Sequence, residues 1–150
     1  MKKIKTLDQK MINWFRRTYL PLARLAIFVI YFYFGILKLL GESPATPVAR
    51  ELISKLGLSA HFDTLFILLA VFECLIGILF LFPKLTRIVI PMLLGHLFVV
   101  CLPLLITPGL VFSKPFVPTL EGQYIIKNIA IIALAIGVAA QTRPWHTKNH

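Results

Sequence analysis

LFILLAVFECLIGILFLF, residues 65–82, decides the fold. It is an apolar run approaching the ~20 residues an α-helix needs to cross the ~30 Å hydrocarbon core of a bilayer. One carboxylate, Glu73, stands near its middle. An ionisable side chain inside such a run is rare and marks either function or a specified contact between helices.

Outward from this run, the segments 22–40, 88–106 and 124–140 are apolar over comparable lengths, and the four together take up most of the 150 residues. The chain is 58% hydrophobic and 15% charged, with a mean hydropathy of +0.83. A soluble core of this size could not hide so much apolar surface, so the chain falls in the membrane class. The expected fold is all-α: a four-transmembrane-helix bundle with a short outer-loop helix and an N-terminal interfacial amphipathic helix over 1–20. All of it forms one membrane domain, 1–150.

A net charge of +10 could indicate nucleic acid, but the basic residues cluster at the ends of the apolar runs. Lys2, Lys3, Lys5, Lys10, Arg16, Arg17 and Arg24 precede or open the first run. Lys84 and Arg87 lie between the second and third, and Arg143 and Lys148 follow the fourth. The loops 41–64 and 107–123 hold only Arg50, Lys55 and Lys114. The positive-inside rule then places both termini in the cytoplasm and these two loops outside. This describes a multi-pass protein of the cell membrane, the inner membrane if the source is bacterial, with the lipid bilayer as partner and nucleic acid excluded. The first run, followed by GESPATP without a cleavage pattern, reads as an anchor rather than a signal peptide.

Around Pro21 the pattern changes. Ile4, Leu7, Met11, Trp14 and Phe15 recur near helical spacing among basic residues, as in a helix lying on the cytoplasmic leaflet. In loop 41–64, Thr46 reads as an N-cap, Pro47 as the first helical residue and Gly57 as the residue after the end, with Val48, Leu52, Ile53 and Leu56 as the apolar face. The loop 107–123 is rich in proline and glycine and reads as irregular. The short FPKLTR makes the second and third helices antiparallel neighbours.

Each predicted span carries a costly polar group: Lys38, Glu73, His96, and the neighbours Lys127 and Asn128. At ~1.5 Å rise per residue, Lys38 and Lys127 lie roughly 3–5 Å below the outer ends, and Glu73 and His96 roughly 12–15 Å. Cβ bonds tilt toward a helix's own N-terminus, so Lys38 leans inward and Glu73 leans outward, each toward the other. A Lys38–Glu73 pair is therefore expected. Lys127 leans the other way and reads as a snorkelling side chain directed to Glu121 or the outer loop. Arg24, Tyr31, Gly35 and Lys38 share one face of the first helix. Ala70, Glu73 and Gly77 share one face of the second, and small residues there allow close approach.

His96 reads as a hydrogen-bonded packing residue. A bis-histidine haem would need a second membrane histidine, and His61, His146 and His150 fall outside the spans. Cys74 and Cys101 lack CxxC spacing and read as small buried hydrophobes. No metal site is expected.

Four stretches resemble the DoxX family of small four-helix membrane proteins: RLAIFVIYFYFGILKLL with its Gly-x-x-Lys, the approach LGLSAHFDTLFILLA, FECLIGILFLFPKLTR, and EGQYIIKNIAIIALA with its Gly-x-x-x-x-Lys-Asn. The resemblance covers roughly residues 20–142 and marks Gly35, Lys38, Glu73, Gly122, Lys127 and Asn128. It does not mark His96 or either cysteine. Some members are membrane subunits of a thiosulfate:quinone oxidoreductase or of complexes for oxidative-stress defence. The resemblance therefore implies a redox-associated membrane subunit rather than a stand-alone enzyme, with quinone as the cofactor it admits.

Three functions fit these residues. One is a quinone-linked membrane subunit working with a redox partner protein. Another is a small proton- or solute-coupled transporter, alone or as a homo-oligomer. The third is a membrane scaffold in which the polar residues only order the helices.

Overall fold

A computed structural model describes the backbone of residues 2–142 and the side chains of residues 6–142; Arg143, His146, Lys148 and His150 lie outside the described residues. The elements in order are α1 (Lys2–Leu39), α2 (Thr46–Lys55), α3 (Phe62–Phe80), α4 (Thr86–Cys101), α5 (Pro103–Ile106), α6 (Pro108–Val111), β1 (Phe112–Lys114), β2 (Val117–Pro118) and α7 (Leu120–Ala140). Four helical stretches are long and apolar enough to cross a membrane: Thr6–Leu39, Ser59–Phe80, Pro83–Ile106 and Leu120–Ala140.

Along the four apolar stretches many large apolar side chains face outward, and a few polar ones are buried. Leu22, Leu25, Val29 and Tyr33 on α1, Leu68, Val71 and Leu75 on α3, Phe98 on α4 and Ile129 on α7 are exposed, whereas Lys38, Glu73, Thr86 and His96 are buried. A water-soluble helical protein has the reverse arrangement. The main core joins all four long helices through Ala23, Ile27 and Tyr31, then Ile76 and Phe80, then Val89, Leu93 and Leu97, then Ala135 and Val138. A smaller cluster of Val48, Val111 and Ile125 lies at the other end.

α1 and α3 make the most extensive contact, and two glycines set it. A Cβ on Gly35 would stand 2.5 Å from Cys74 Sγ and 2.9 Å from the Ala70 carbonyl; one on Gly77 would stand 2.9 Å from the Phe32 nitrogen. The missing side chains let the two backbones approach, which is what small residues do at membrane helix interfaces. Residue 35 meets 70 and 74, and residue 77 meets 28 and 32, so the helices are antiparallel.

Several elements differ from expectation. Residues 1–20 do not form a helix of their own, because α1 runs through Pro21 without a break. A proline in a helix interior costs about 3 kcal/mol. Packing on both sides offsets this: the Tyr19 hydroxyl sits against Gly137, and Ala23 and Ile27 are in the core. At ~1.5 Å per residue the 38 residues of α1 extend ~57 Å, well beyond the ~30 Å of a hydrocarbon core. Leu7, Met11, Trp14 and Phe15 on its first half are exposed.

The third run is divided, with α4 ending at Cys101 and α5 starting at Pro103. Pro103 has no N–H to continue the ladder, and Leu102 N–H closes a tighter turn onto the Val99 carbonyl at 3.1 Å. The segment expected to be irregular holds α6 and a small antiparallel hairpin pairing Phe112 with Pro118 and Lys114 with Val117. α7 starts at Leu120, earlier than expected, because the Thr119 side chain accepts the Gly122 N–H at 3.1 Å and caps it.

α2 also differs in detail. Ala45 occupies the cap position without a side-chain bond, and the Thr46 hydroxyl donates back to the Ser43 carbonyl. Val48 and Leu52 are buried, but Leu56 is exposed. α1 and α2 end alike: Gly41 and Gly57 have positive φ, and the following N–H groups return to Leu37 and Ile53. This Schellman closure stops α1 just after Lys38 and fixes the turn that carries it.

Candidate functional site

The close approach of α1 and α3 brings Lys38 to Glu73, with Nζ 2.6 Å from Oε2. Each side chain is 7% exposed. The second carboxylate oxygen, Oε1, lies 2.9 Å from His96 Nε2 on α4. His96 Nδ1 in turn lies 3.3 Å from the Tyr31 hydroxyl on α1. Four buried side chains from three helices thus form one hydrogen-bonded chain, Lys38–Glu73–His96–Tyr31.

The hydrogen-bond pattern assigns the imidazole tautomer. A carboxylate only accepts, so His96 Nε2 carries a proton and donates to Glu73; in a singly protonated ring Nδ1 then accepts from the Tyr31 hydroxyl. The Tyr31 and His96 rings meet edge-on at 5.2 Å, and Phe72 packs at 6.3 Å. Every buried side-chain nitrogen and oxygen among the described residues has a partner.

An ion pair this deep is costly to desolvate, and only good geometry with further hydrogen bonds recovers the cost. Glu73 has both, one donor on each oxygen. Removing either charge alone would strand the other. The arrangement can also move protons, since each member bears an exchangeable proton or a site for one.

A second polar knot sits at the other end of the helices. Arg24 donates through Nη1 to the Phe80 carbonyl at 3.1 Å and through Nη2 to Thr86 Oγ1 at 2.6 Å. Thr86 Oγ1 donates to the Pro83 carbonyl at 2.7 Å. The guanidinium therefore closes the C-terminal end of α3, where the helix dipole is negative, and ties it to the start of α4.

The expected site residues divide. Lys38, Glu73 and His96 are joined, with Gly35 and Gly77 enabling the approach. Lys127 and Asn128 stand apart on α7, Lys127 exposed and Asn128 half-buried. The Lys127 ammonium lies 5.3 Å over the Tyr124 ring rather than reaching Glu121, because the i,i+3 spacing stacks the two side chains. Gly122 packs against the Val111 backbone at the start of α7. Cys74 and Cys101 are free and half-buried, Cys74 Sγ lying 3.8 Å from the Phe32 carbonyl. Among the described residues no three His, Cys, Asp or Glu side chains group as metal ligands.

Sequence reasoning placed Tyr31 on the Lys38 face without giving it a partner, and it missed the Arg24–Thr86 link. The signal for His96 was available. Glu73 stands ten residues before Pro83 and His96 ten after Thr86 (83 − 73 and 96 − 86), so antiparallel helices joined by a short turn place them at one level.

The class these features define is a helical membrane protein with an inward-facing charged chain. Comparison with protein-family models, curated proteins and solved structures returned no match.

Proposed function

We propose that this chain is a four-helix membrane bundle of the DoxX type. Both termini are cytoplasmic, the first half of α1 continues past the inner leaflet, and α2 covers the outer end. In this reading it is a membrane subunit of a redox-linked, quinone-dependent system, and the chain Lys38–Glu73–His96–Tyr31 takes up and hands on, one after the other, the two accompanying protons.

The observation that supports this reading is the double engagement of Glu73 by Lys38 and His96. The His96 bond does more than satisfy the second carboxylate oxygen, because it continues through the ring to the Tyr31 hydroxyl. Extension through the His96 imidazole to the Tyr31 phenol gives a continuous hydrogen-bonded path. Reduction of a quinone to a quinol takes two electrons and two protons. A partner protein supplies the electrons, and Lys38 has N–H groups beyond the one given to Glu73 with which to meet a quinone oxygen.

The test is to purify the protein and its Glu73→Gln variant, extract each for quinone, and follow quinone-linked proton movement in liposomes. The wild type carries quinone, and the folded variant loses proton movement. An empty extract together with proton-linked solute uptake would replace this reading by a transporter. A folded variant with full activity would leave only the scaffold role.

A further inference from the structure

A groove lies beside Arg24, away from the Glu73 chain. It measures about 650 Å3 and lies between α1, the end of α3 and the end of α7, walled by Leu20, Leu25, Leu81 and Val138 and edged by Gln141 and Thr142. Sites of this size are ordinary for ligands of modest size. Its one charged lining residue is Arg24.

Arg24 is partly buried, and both of its hydrogen bonds go to neutral oxygens, the Phe80 carbonyl and the Thr86 hydroxyl. No carboxylate pairs with it among the described residues. The negative end of the α3 dipole compensates part of the charge. The acids lie elsewhere: Glu42, Glu51, Asp63, Glu73 and Glu121 belong to the Lys38 half, and Asp8 to the far end of α1. Arg16, Arg17 and Lys84 add further positive charge to the Arg24 end. A guanidinium has five N–H donors, so Arg24 keeps capacity toward the groove.

We propose that this groove binds an anionic phospholipid. Arg24 takes the phosphate, assisted by the polar edge at Gln141 and Thr142, and an acyl chain lies along Leu20, Leu25 and Leu81. The apolar walls select a lipid over free phosphate, and a guanidinium without a carboxylate partner selects an anionic lipid over a zwitterionic one. This site is independent of the quinone reading, because it shares no residue with the Glu73 chain.

The test uses the full chain, purified in detergent and delipidated, titrated with phosphatidylglycerol, with phosphatidylcholine of the same acyl chains, and with inorganic phosphate. Phosphatidylglycerol is expected to bind about tenfold more tightly than phosphatidylcholine, with phosphate failing to compete. Arg24→Gln should abolish the preference. Because Arg24 also holds Phe80 and Thr86, Leu25→Trp is the second variant: it fills the groove and leaves the guanidinium bonds alone. Leu25→Trp should weaken phosphatidylglycerol binding about tenfold at unchanged melting temperature. Equal affinity for the two lipids, unaltered binding by Leu25→Trp, or displacement by free phosphate would each overturn the proposal.

Discussion

Glu73 Oε1 and His96 Nε2 lie 2.9 Å apart, and that contact ties α3 to α4 at the level where α3 also meets Lys38 of α1. Three helices thus converge on one carboxylate. The reciprocal glycines Gly35 and Gly77 let α1 and α3 approach closely at this level, where Lys38 and Glu73 close to 2.6 Å. Packing comes first in this site, and the polar chain depends on it.

Stranding one charge of the pair should cost more than removing both. Glu73→Leu leaves the Lys38 ammonium buried without its carboxylate, a change worth about 3–5 kcal/mol of destabilisation. Lys38→Met combined with Glu73→Leu should recover most of that loss, because buried ion pairs are often replaceable by apolar residues at little cost. Reversible unfolding in mixed micelles, run as a double-mutant cycle, measures it. Additive losses would mean that the two side chains are not coupled.

Tyr31→Phe keeps the ring and its edge contact with His96 but removes the donor to Nδ1. The expected stability loss is about 1 kcal/mol, that of one hydrogen bond. The sharper readout is nitrogen NMR of the His96 ring. Wild type should show a single tautomer protonated at Nε2, and Tyr31→Phe should show a changed Nδ1 resonance. A tautomer protonated at Nδ1 in the wild type would reverse the hydrogen-bond directions assigned to the chain.

The sequence made the spans and the Lys38–Glu73 pair legible for a physical reason: depth and Cβ tilt depend only on residue position along a helix. Helix length across Pro21 and the break at Pro103 were not legible, because each depends on whether tertiary contacts offset a proline. Tyr19 and Ala23 flank Pro21 with such contacts. The azimuth of α7 was also hidden. A lysine and an asparagine in an apolar run say that a polar group is present, not which way it faces, and the structure turns Lys127 outward over Tyr124.

The glycines give a graded test of the packing argument. Gly77→Ala puts a Cβ against the Phe32 backbone, and Gly35→Ala puts one against Cys74 and the Ala70 carbonyl. Each should destabilise by about 1–3 kcal/mol, as overpacking does. Gly95, one residue before His96, has nothing within 4 Å of an added Cβ. Gly95→Ala should therefore be neutral or stabilise by about 0.5–1 kcal/mol through helix propensity. Thermal unfolding of the three variants ranks them, and equal behaviour would remove the close α1–α3 approach as the basis of the site.

Lys127 separates the geometric reading from the resemblance. The Gly-x-x-x-x-Lys-Asn stretch marks it as a site residue, yet its side chain is exposed, touches only the Tyr124 ring at 5.3 Å, and shares no bond with Lys38, Glu73, His96 or Tyr31. If the polar chain is the working unit, Lys127→Gln should change stability by no more than about 0.5 kcal/mol and leave proton movement within twofold of wild type. Glu73→Gln assayed beside it should abolish that movement. Loss of activity in Lys127→Gln at unchanged stability would show that α7 contributes a functional cation from outside the buried chain, and the site would then have to be rebuilt around the surface between α7 and a partner.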